Sequence, residues 1–308
     1  MRSKATAPKK KSSRATNVIL VIILVVGLGI MLYPSVSDLW NQYFQSRAIM
    51  EYAAAVTALN DDEFAALWDA ADAYNQALYT SYSRGETAPD NYNEVLNLDG
   101  GGMMSYIDIP SINCHLAVFH GTDDATLQNA VGHLESSSLP VGGESTHCVL
   151  SGHRGLPSAR LFTDLDLLQE GDIFTLETLG ITLTYEIDQI RIVLPTDQSE
   201  LQIVPGEDYC TLVTCTPYGV NSHRLLVRGH RIVTSEETTV QIPTEALLIS
   251  STIMMFGVGI PMLMLFLIAL LIRYRRRPPE PTREELFQKL AAEAETENAE
   301  NQEKRRRP

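Results

Sequence analysis

No lysine occurs between Lys11 and Lys289 of this 308-residue chain. Over Pro34 to Ala246, 8 arginines stand against 30 aspartates plus glutamates, a net charge of −22. Nucleic-acid binding needs clustered cations to displace counterions, so that segment is excluded as a nucleic-acid surface. The four cysteines, Cys114, Cys148, Cys210 and Cys215, show no C-x-x-C spacing. Together with the histidines they form no two close ligand pairs, so neither zinc nor any other metal or cofactor is expected.

Charge is missing from two further stretches. Asn17–Tyr33 is uncharged and apolar from Val18 to Leu32 apart from Gly27 and Gly29. Leu247–Ile272 is longer and contains Pro261, which a membrane helix tolerates. No small-x-small site follows the first stretch, where the sequence reads Pro34-Ser35-Val36-Ser37, so a retained anchor is favoured over a cleaved signal peptide. Cations flank both: Arg2 to Arg14 precede the first, and Arg273, Arg275, Arg276 and Arg277 follow the second. The positive-inside rule then predicts a two-span protein of the cell membrane, lipid-embedded, with both termini cytoplasmic and the acidic segment outside.

The expected organisation is a basic tail (1–16), a span (17–33), N-terminal helices and a loop (34–102), a β domain (103–240), a second span (247–272) and a charged tail (273–308) with one short helix. Leu39, Tyr43, Ala48, Tyr52, Ala55 and Leu59 mark an amphipathic helix, and Phe64, Leu67, Ala71, Tyr74 and Leu78 a second one capped by Asn60. From Met103 the pattern changes to short runs rich in β-branched residues: 104–107, 115–119, 147–151, 173–177, 181–193, 209–215 and 224–233. In 181–193, Ile181, Leu183, Tyr185, Ile187 and Gln189 are expected on one face. Seven or eight strands with few helices predict a mainly β, closed barrel with the helical pair packed outside it.

Three complementary residues sit at strand ends. Cys215 closes Thr211-Leu212-Val213-Thr214 and precedes Thr216-Pro217-Tyr218-Gly219. His153 follows Val149-Leu150-Ser151-Gly152, and Arg224 opens the strand after the Cys215 turn. A thiol nucleophile needs a base or a lowered pKa, and an oxyanion needs a donor. Alone, each residue reads as an ordinary core thiol, solvated histidine or paired arginine; together they make a candidate site. His120, beside a Gly121-Thr122 turn, is expected to serve local hydrogen bonding.

The stretches Gly132-His133-Leu134-Glu135, Ser138-Leu139-Pro140, Ser151-Gly152-His153-Arg154-Gly155, Leu161-Phe162-Thr163-Asp164-Leu165 and Thr211 through Leu226 resemble the sortases, specifically the class C or pilus-assembly sortases of Gram-positive bacteria. The resemblance implies an eight-stranded barrel between two membrane helices. It also implies a cysteine transpeptidase that cleaves a Leu-Pro-x-Thr-Gly-like sorting signal between Thr and Gly and passes the acyl group to a lysine of a pilin subunit. Cys215 would be the nucleophile, His153 the general acid/base, and Arg224 the donor to substrate or oxyanion. Pilus sortases commonly carry a lid on an Asp-Pro-aromatic motif; the loop here reads Ala88-Pro89-Asp90-Asn91-Tyr92, so a lid without the usual anchor is expected, with Pro89, Asp90 and Tyr92 as its candidates. The family fold would also set Cys148 level with Cys210 on neighbouring parallel strands, where a buried reduced pair is favoured over a disulfide.

A wall-anchoring transpeptidase using a peptidoglycan amine, a thiol peptidase and a non-catalytic module that holds pilins are the competing functions. The helical pair and second span weigh against the first two by resemblance, and the complete Cys-His-Arg set weighs against the last. A lysine-free domain suits an enzyme whose acyl intermediate is destined for lysine, although an acidic, arginine-for-lysine compositional bias gives the same pattern.

Overall fold

The computed structural model describes residues 13–98, 100–233 and 282–306, in two units divided at Ala246. The expected second span, 247–272, lies outside the described residues. In the second unit, α4 (Arg283–Arg306) is a 24-residue helix, longer than the short helix expected. Its Glu, Ala, Gln and Lys residues are strong helix formers, so intrinsic propensity extends the helix through a segment whose polarity alone signals only a solvated tail.

In the first unit, the apolar stretch and the first amphipathic stretch form one continuous helix, α1 (Ser13–Thr57), which runs through Pro34. It is long and apolar enough to cross a membrane, and its apolar window is unburied. The lower half of α1 packs on the barrel through two polar side chains. Gln45 accepts from the Ala117 amide at 2.8 Å and donates to the Asn129 carbonyl, while the Tyr52 hydroxyl donates to the Met104 carbonyl at 2.8 Å and accepts from the Leu179 amide at 2.9 Å.

The second helix, α2 (Asp61–Arg84), starts at Asn60 with a reciprocal capping box to Glu63 and stops at Gly85, whose φ of 69° admits the left-handed cap. Ala71, Tyr74 and Leu78 are buried as expected. Asn75 is buried beside them because its amide satisfies both the N–H (2.7 Å) and the carbonyl (3.2 Å) of Leu139.

The β domain is a closed barrel of eight strands: β1 (Met103–Ile109), β2 (Cys114–His120), β3 (Val131–His133), β4 (Thr146–Ser151), β5 (Ile173–Thr178), β6 (Ile181–Val193), β7 (Asp208–Thr216) and β8 (His223–Arg231). Their order around the barrel is β1-β2-β3-β4-β7-β8-β6-β5, with β2–β3 and β4–β7 parallel and the rest antiparallel. A one-turn helix, α3 (Asp124–Leu127), links β2 to β3. The core holds Met104, Ile107, Leu150, Phe162, Phe174, Tyr185, Leu212 and Val227, each no more than 0% exposed.

Two features depart from the sequence expectation. Strand β3 has only three residues, too few for an alternating pattern to register, yet all three are buried. Gly132 is required there: a Cβ would lie 2.2 Å from the Gly121 carbonyl oxygen. In β6 the register shifts between Ile187 and Gln189, so the alternation inverts. Ile190, not Gln189, then packs against the core. The extra residue, Asp188, makes a two-point ion pair with Arg228 at 3.0 and 2.9 Å.

Candidate active site

Strand register brings the three expected residues together. Cys215 and Arg224 are direct partners across the antiparallel β7–β8 pair, so their side chains leave the same face. On the other side of β7, parallel β4 ends at Ser151, which is level with Val213. The pairing then continues past the strand: the Gly152 amide donates to the Val213 carbonyl at 3.0 Å, and the Thr214 hydroxyl donates to the Gly152 carbonyl at 2.7 Å. His153 is thereby held at the height of Cys215. All three residues are half-buried.

Arg224 hydrogen-bonds through Nη1 to the carbonyls of His223 (3.1 Å) and Asn221 (3.4 Å). Among the described residues no carboxylate pairs with it, in contrast to Arg228, Arg154 and Arg160. A guanidinium fixed by carbonyls on one edge keeps its charge for a substrate carbonyl or an oxyanion.

Arg154 was legible only as part of a motif; the structure gives it a positioning task. Its side chain is 9% exposed, pairs with Asp166, and donates to the Thr216 hydroxyl at 3.3 Å. The guanidinium also lies 5.9 Å from the centroid of Tyr218. One residue after His153 is thus tied to one residue after Cys215, which couples the loop that carries His153 to the end of β7 that carries Cys215.

Gly152 is fixed by packing. A Cβ on it would meet the Phe162 ring at 2.6 Å, and Phe162 in turn donates its amide to the His153 carbonyl at 3.1 Å. Gly152→Ala should therefore destabilise the domain by about 1–3 kcal/mol through overpacking and lower turnover by displacing His153. Thermal denaturation and steady-state kinetics measure the two effects; a variant with unchanged turnover contradicts the positioning argument.

Three other histidines, His147, His120 and His133, are committed elsewhere. His147 bonds the Gln202 carbonyl and the Thr211 hydroxyl, at 2.9 and 2.7 Å. His120 does hydrogen-bond backbone, but to the Gly102 and Val95 carbonyls, 18 and 25 residues earlier, rather than within the local turn expected. His133 is fully buried between Tyr92 and the Ser138 carbonyl. Tyr92 itself is 2% exposed; its hydroxyl meets His133 Nδ1 at 2.9 Å and accepts from the Gly121 amide at 3.0 Å. Of the three candidate lid residues, Tyr92 is thus engaged with β3, which flanks β4 on the side opposite β7, while Pro89 is half-buried and Asp90 exposed.

All four cysteines are reduced, and only Cys215 is not buried. Cys148 and Cys210 are register partners across β4–β7. Burial pushes the Cys210 thiol well above its ordinary range, the neighbouring Cys148 adding to the effect, and burial pushes Cys114 up to about 12. One thiol should thus react rapidly with a water-soluble disulfide reagent in the native protein, and four after denaturation without reductant. Two thiols on denaturation would mean that Cys148 and Cys210 are oxidised.

Residues 107–232 match the family model of the Sortase domain. Sortase D of Bacillus subtilis is 32% identical over 135 residues, 43% of this chain and 65% of that protein, so the match falls just short of two thirds of the relative's length. Among solved structures, sortase C1 of Streptococcus agalactiae is 53% identical, with a TM-score of 0.59 over 61% of this chain and 99% of that one. Sortase C of Clostridium perfringens, solved with a C-terminal cell wall sorting motif, is 42% identical, with a TM-score of 0.55 over 61% and 100%. With the eight-stranded barrel and near-complete coverage of the solved class C chains, these likenesses establish that the chain belongs to the sortase family of cysteine transpeptidases, in its class C branch.

Proposed function

We propose that this protein is a membrane-anchored cysteine transpeptidase that cleaves a Leu-Pro-x-Thr-Gly-like sorting signal between Thr and Gly and joins the acyl group to a pilin lysine. The observation that carries the reading is the levelling of Cys215, His153 and Arg224 across β4, β7 and β8. It is supported by the likeness to a sortase C solved with a sorting motif, and to one from Streptococcus pneumoniae whose description refers to pilin substrate specificity, 41% identical to this chain. The apolar helix α1 is the proposed anchor, with 247–272 as a second span, both termini cytoplasmic and the barrel outside.

The chemistry follows from the three roles. The Cys215 thiolate attacks the Thr carbonyl, and negative charge develops on its oxygen, where Arg224 donates. Collapse of this adduct breaks the Thr–Gly bond as His153 delivers a proton to the departing Gly amine. The thioester left on Cys215 is then attacked by a lysine amine, which loses a proton to His153 as the thiolate departs. The product is an isopeptide bond, and the enzyme returns to its starting state.

The test offers a sorting-signal peptide together with a lysine-bearing acceptor, an oligoglycine or peptidoglycan-type amine, and water alone, with products read by mass. An isopeptide to the lysine is expected. Preference for the peptidoglycan-type amine identifies a wall-anchoring enzyme, and hydrolysis with both amines present identifies a peptidase.

A further inference from the structure

The segment of α1 between its apolar stretch and its packing on the barrel has no role in the chemistry above. Arg14 and Asp38 bracket 23 uncharged residues, about 34 Å of helix at 1.5 Å per residue, close to the thickness of a bilayer's hydrocarbon core. The next turns carry three exposed aromatics, Trp40, Tyr43 and Phe44, at 65%, 57% and 48% exposure. They contact one another, with ring centroids 5.2 Å apart for Trp40–Phe44 and 5.9 Å for Tyr43–Phe44. Trp40 falls about 5 Å beyond Ser37 along the helix, inside the headgroup layer of roughly 5–8 Å, and Tyr43 and Phe44 about 9 and 10 Å beyond it, at that layer's outer edge. Trp and Tyr are the residues enriched there, because their rings combine an apolar body with a polar edge.

The same helix segment lies against the loop that follows His153 and the turn that follows Cys215. Asp38 accepts the Arg160 amide at 2.7 Å, which ties α1 to the loop that follows His153. A cavity of about 220 Å³ lies between Pro34, Ser35 and Asp38 on the helix, Gly155 and Pro157 on that loop, and Tyr218, three residues beyond Cys215. Pro34 and Ser35 belong to the uncharged stretch itself, so whatever lines a cavity with them stands at the bilayer surface. Tyr218 and Val220 are 61% and 69% exposed, leaving an apolar rim on the Cys215 turn.

We infer that the catalytic mouth is seated on the lipid headgroup layer, with Trp40, Tyr43 and Phe44 as the seat and Tyr218 as the part of the rim that touches the membrane. The inference rests on the proposal that α1 is the anchor. The surface that binds is aromatic, and the segment it belongs to carries −22, so the partner is the interfacial zone of the bilayer irrespective of anionic lipid. The seat holds Cys215 at a fixed low height, where it meets a peptide just emerging from a membrane span and excludes segments further out.

The test uses the full chain in phosphatidylcholine vesicles. Trp40 and Trp68 are its two tryptophans, so Trp68→Phe leaves Trp40 as the sole reporter. A second variant carries Trp40→Phe, Trp68→Phe and Tyr218→Trp. Both are expected to float with the vesicles, to emit at shorter wavelength than in detergent-free water, and to be quenched more by lipids brominated at carbons 6 and 7 than at 11 and 12. A protein that floats while both reporters stay fully open to iodide overturns the seat and leaves the anchor standing. Lipid quenching of Trp40 but not of position 218 overturns the orientation of the mouth. A chain that fails to float overturns the anchor, and the seat with it.

Discussion

Cys215→Ala should leave neither cleaved sorting signal nor isopeptide product, a loss of about 10⁶-fold, the scale seen when a catalytic nucleophile is removed. The loss is this large because nothing nearby can substitute: Cys114, Cys148 and Cys210 are buried, and Cys215 is the one thiol reachable from solvent. Stability should change little, since Cys215 is half-buried at the barrel rim rather than in the core. Hydrolysis and transfer must vanish together, because both pass through the same thioester. Mass analysis of long incubations checks this, and survival of either product would place the nucleophile elsewhere.

His153→Ala should lower turnover of the peptide by about 10²- to 10⁴-fold, the range for removing a general acid. The loss should depend on the leaving group. The Gly amine cannot depart without a proton, whereas the oxygen of a Thr ester needs far less help. A peptide in which the Thr–Gly amide is replaced by an ester should therefore recover most of the lost rate in His153→Ala. Equal loss on amide and ester would mean that His153 holds structure rather than moves a proton.

The candidate site was legible because its logic is local. Cys215 and His153 each end a run of apolar residues, and Arg224 opens the strand after a short turn, so a strand assignment alone puts them near one rim. The fold was legible where strands were long enough to alternate. It was not legible at β3, three residues long and fixed by the approach of Gly132 to the Gly121 carbonyl, a contact between segments eleven residues apart. Nor was it at β6, where a single extra residue, Asp188, moves Gln189 off the inner face and Ile190 onto it. Gln45 and Asn75 are polar residues in buried positions, which sequence reads as surface; each is buried because its amide pairs with backbone far along the chain. Arg154 stayed hidden for the same reason, its partners Asp166 and Thr216 being 12 and 62 residues away.

The acyl-enzyme itself tests the account most directly. Full-length protein incubated with a sorting-signal peptide and no amine, then acid-quenched and weighed intact, should gain the mass of the peptide up to and including its Thr. Hydroxylamine should remove the adduct, as for a thioester, and peptide mapping should place it on Cys215. An enzyme that cleaves the peptide with no such adduct, or with the adduct on another residue, would contradict the assignment of Cys215 as the acyl carrier.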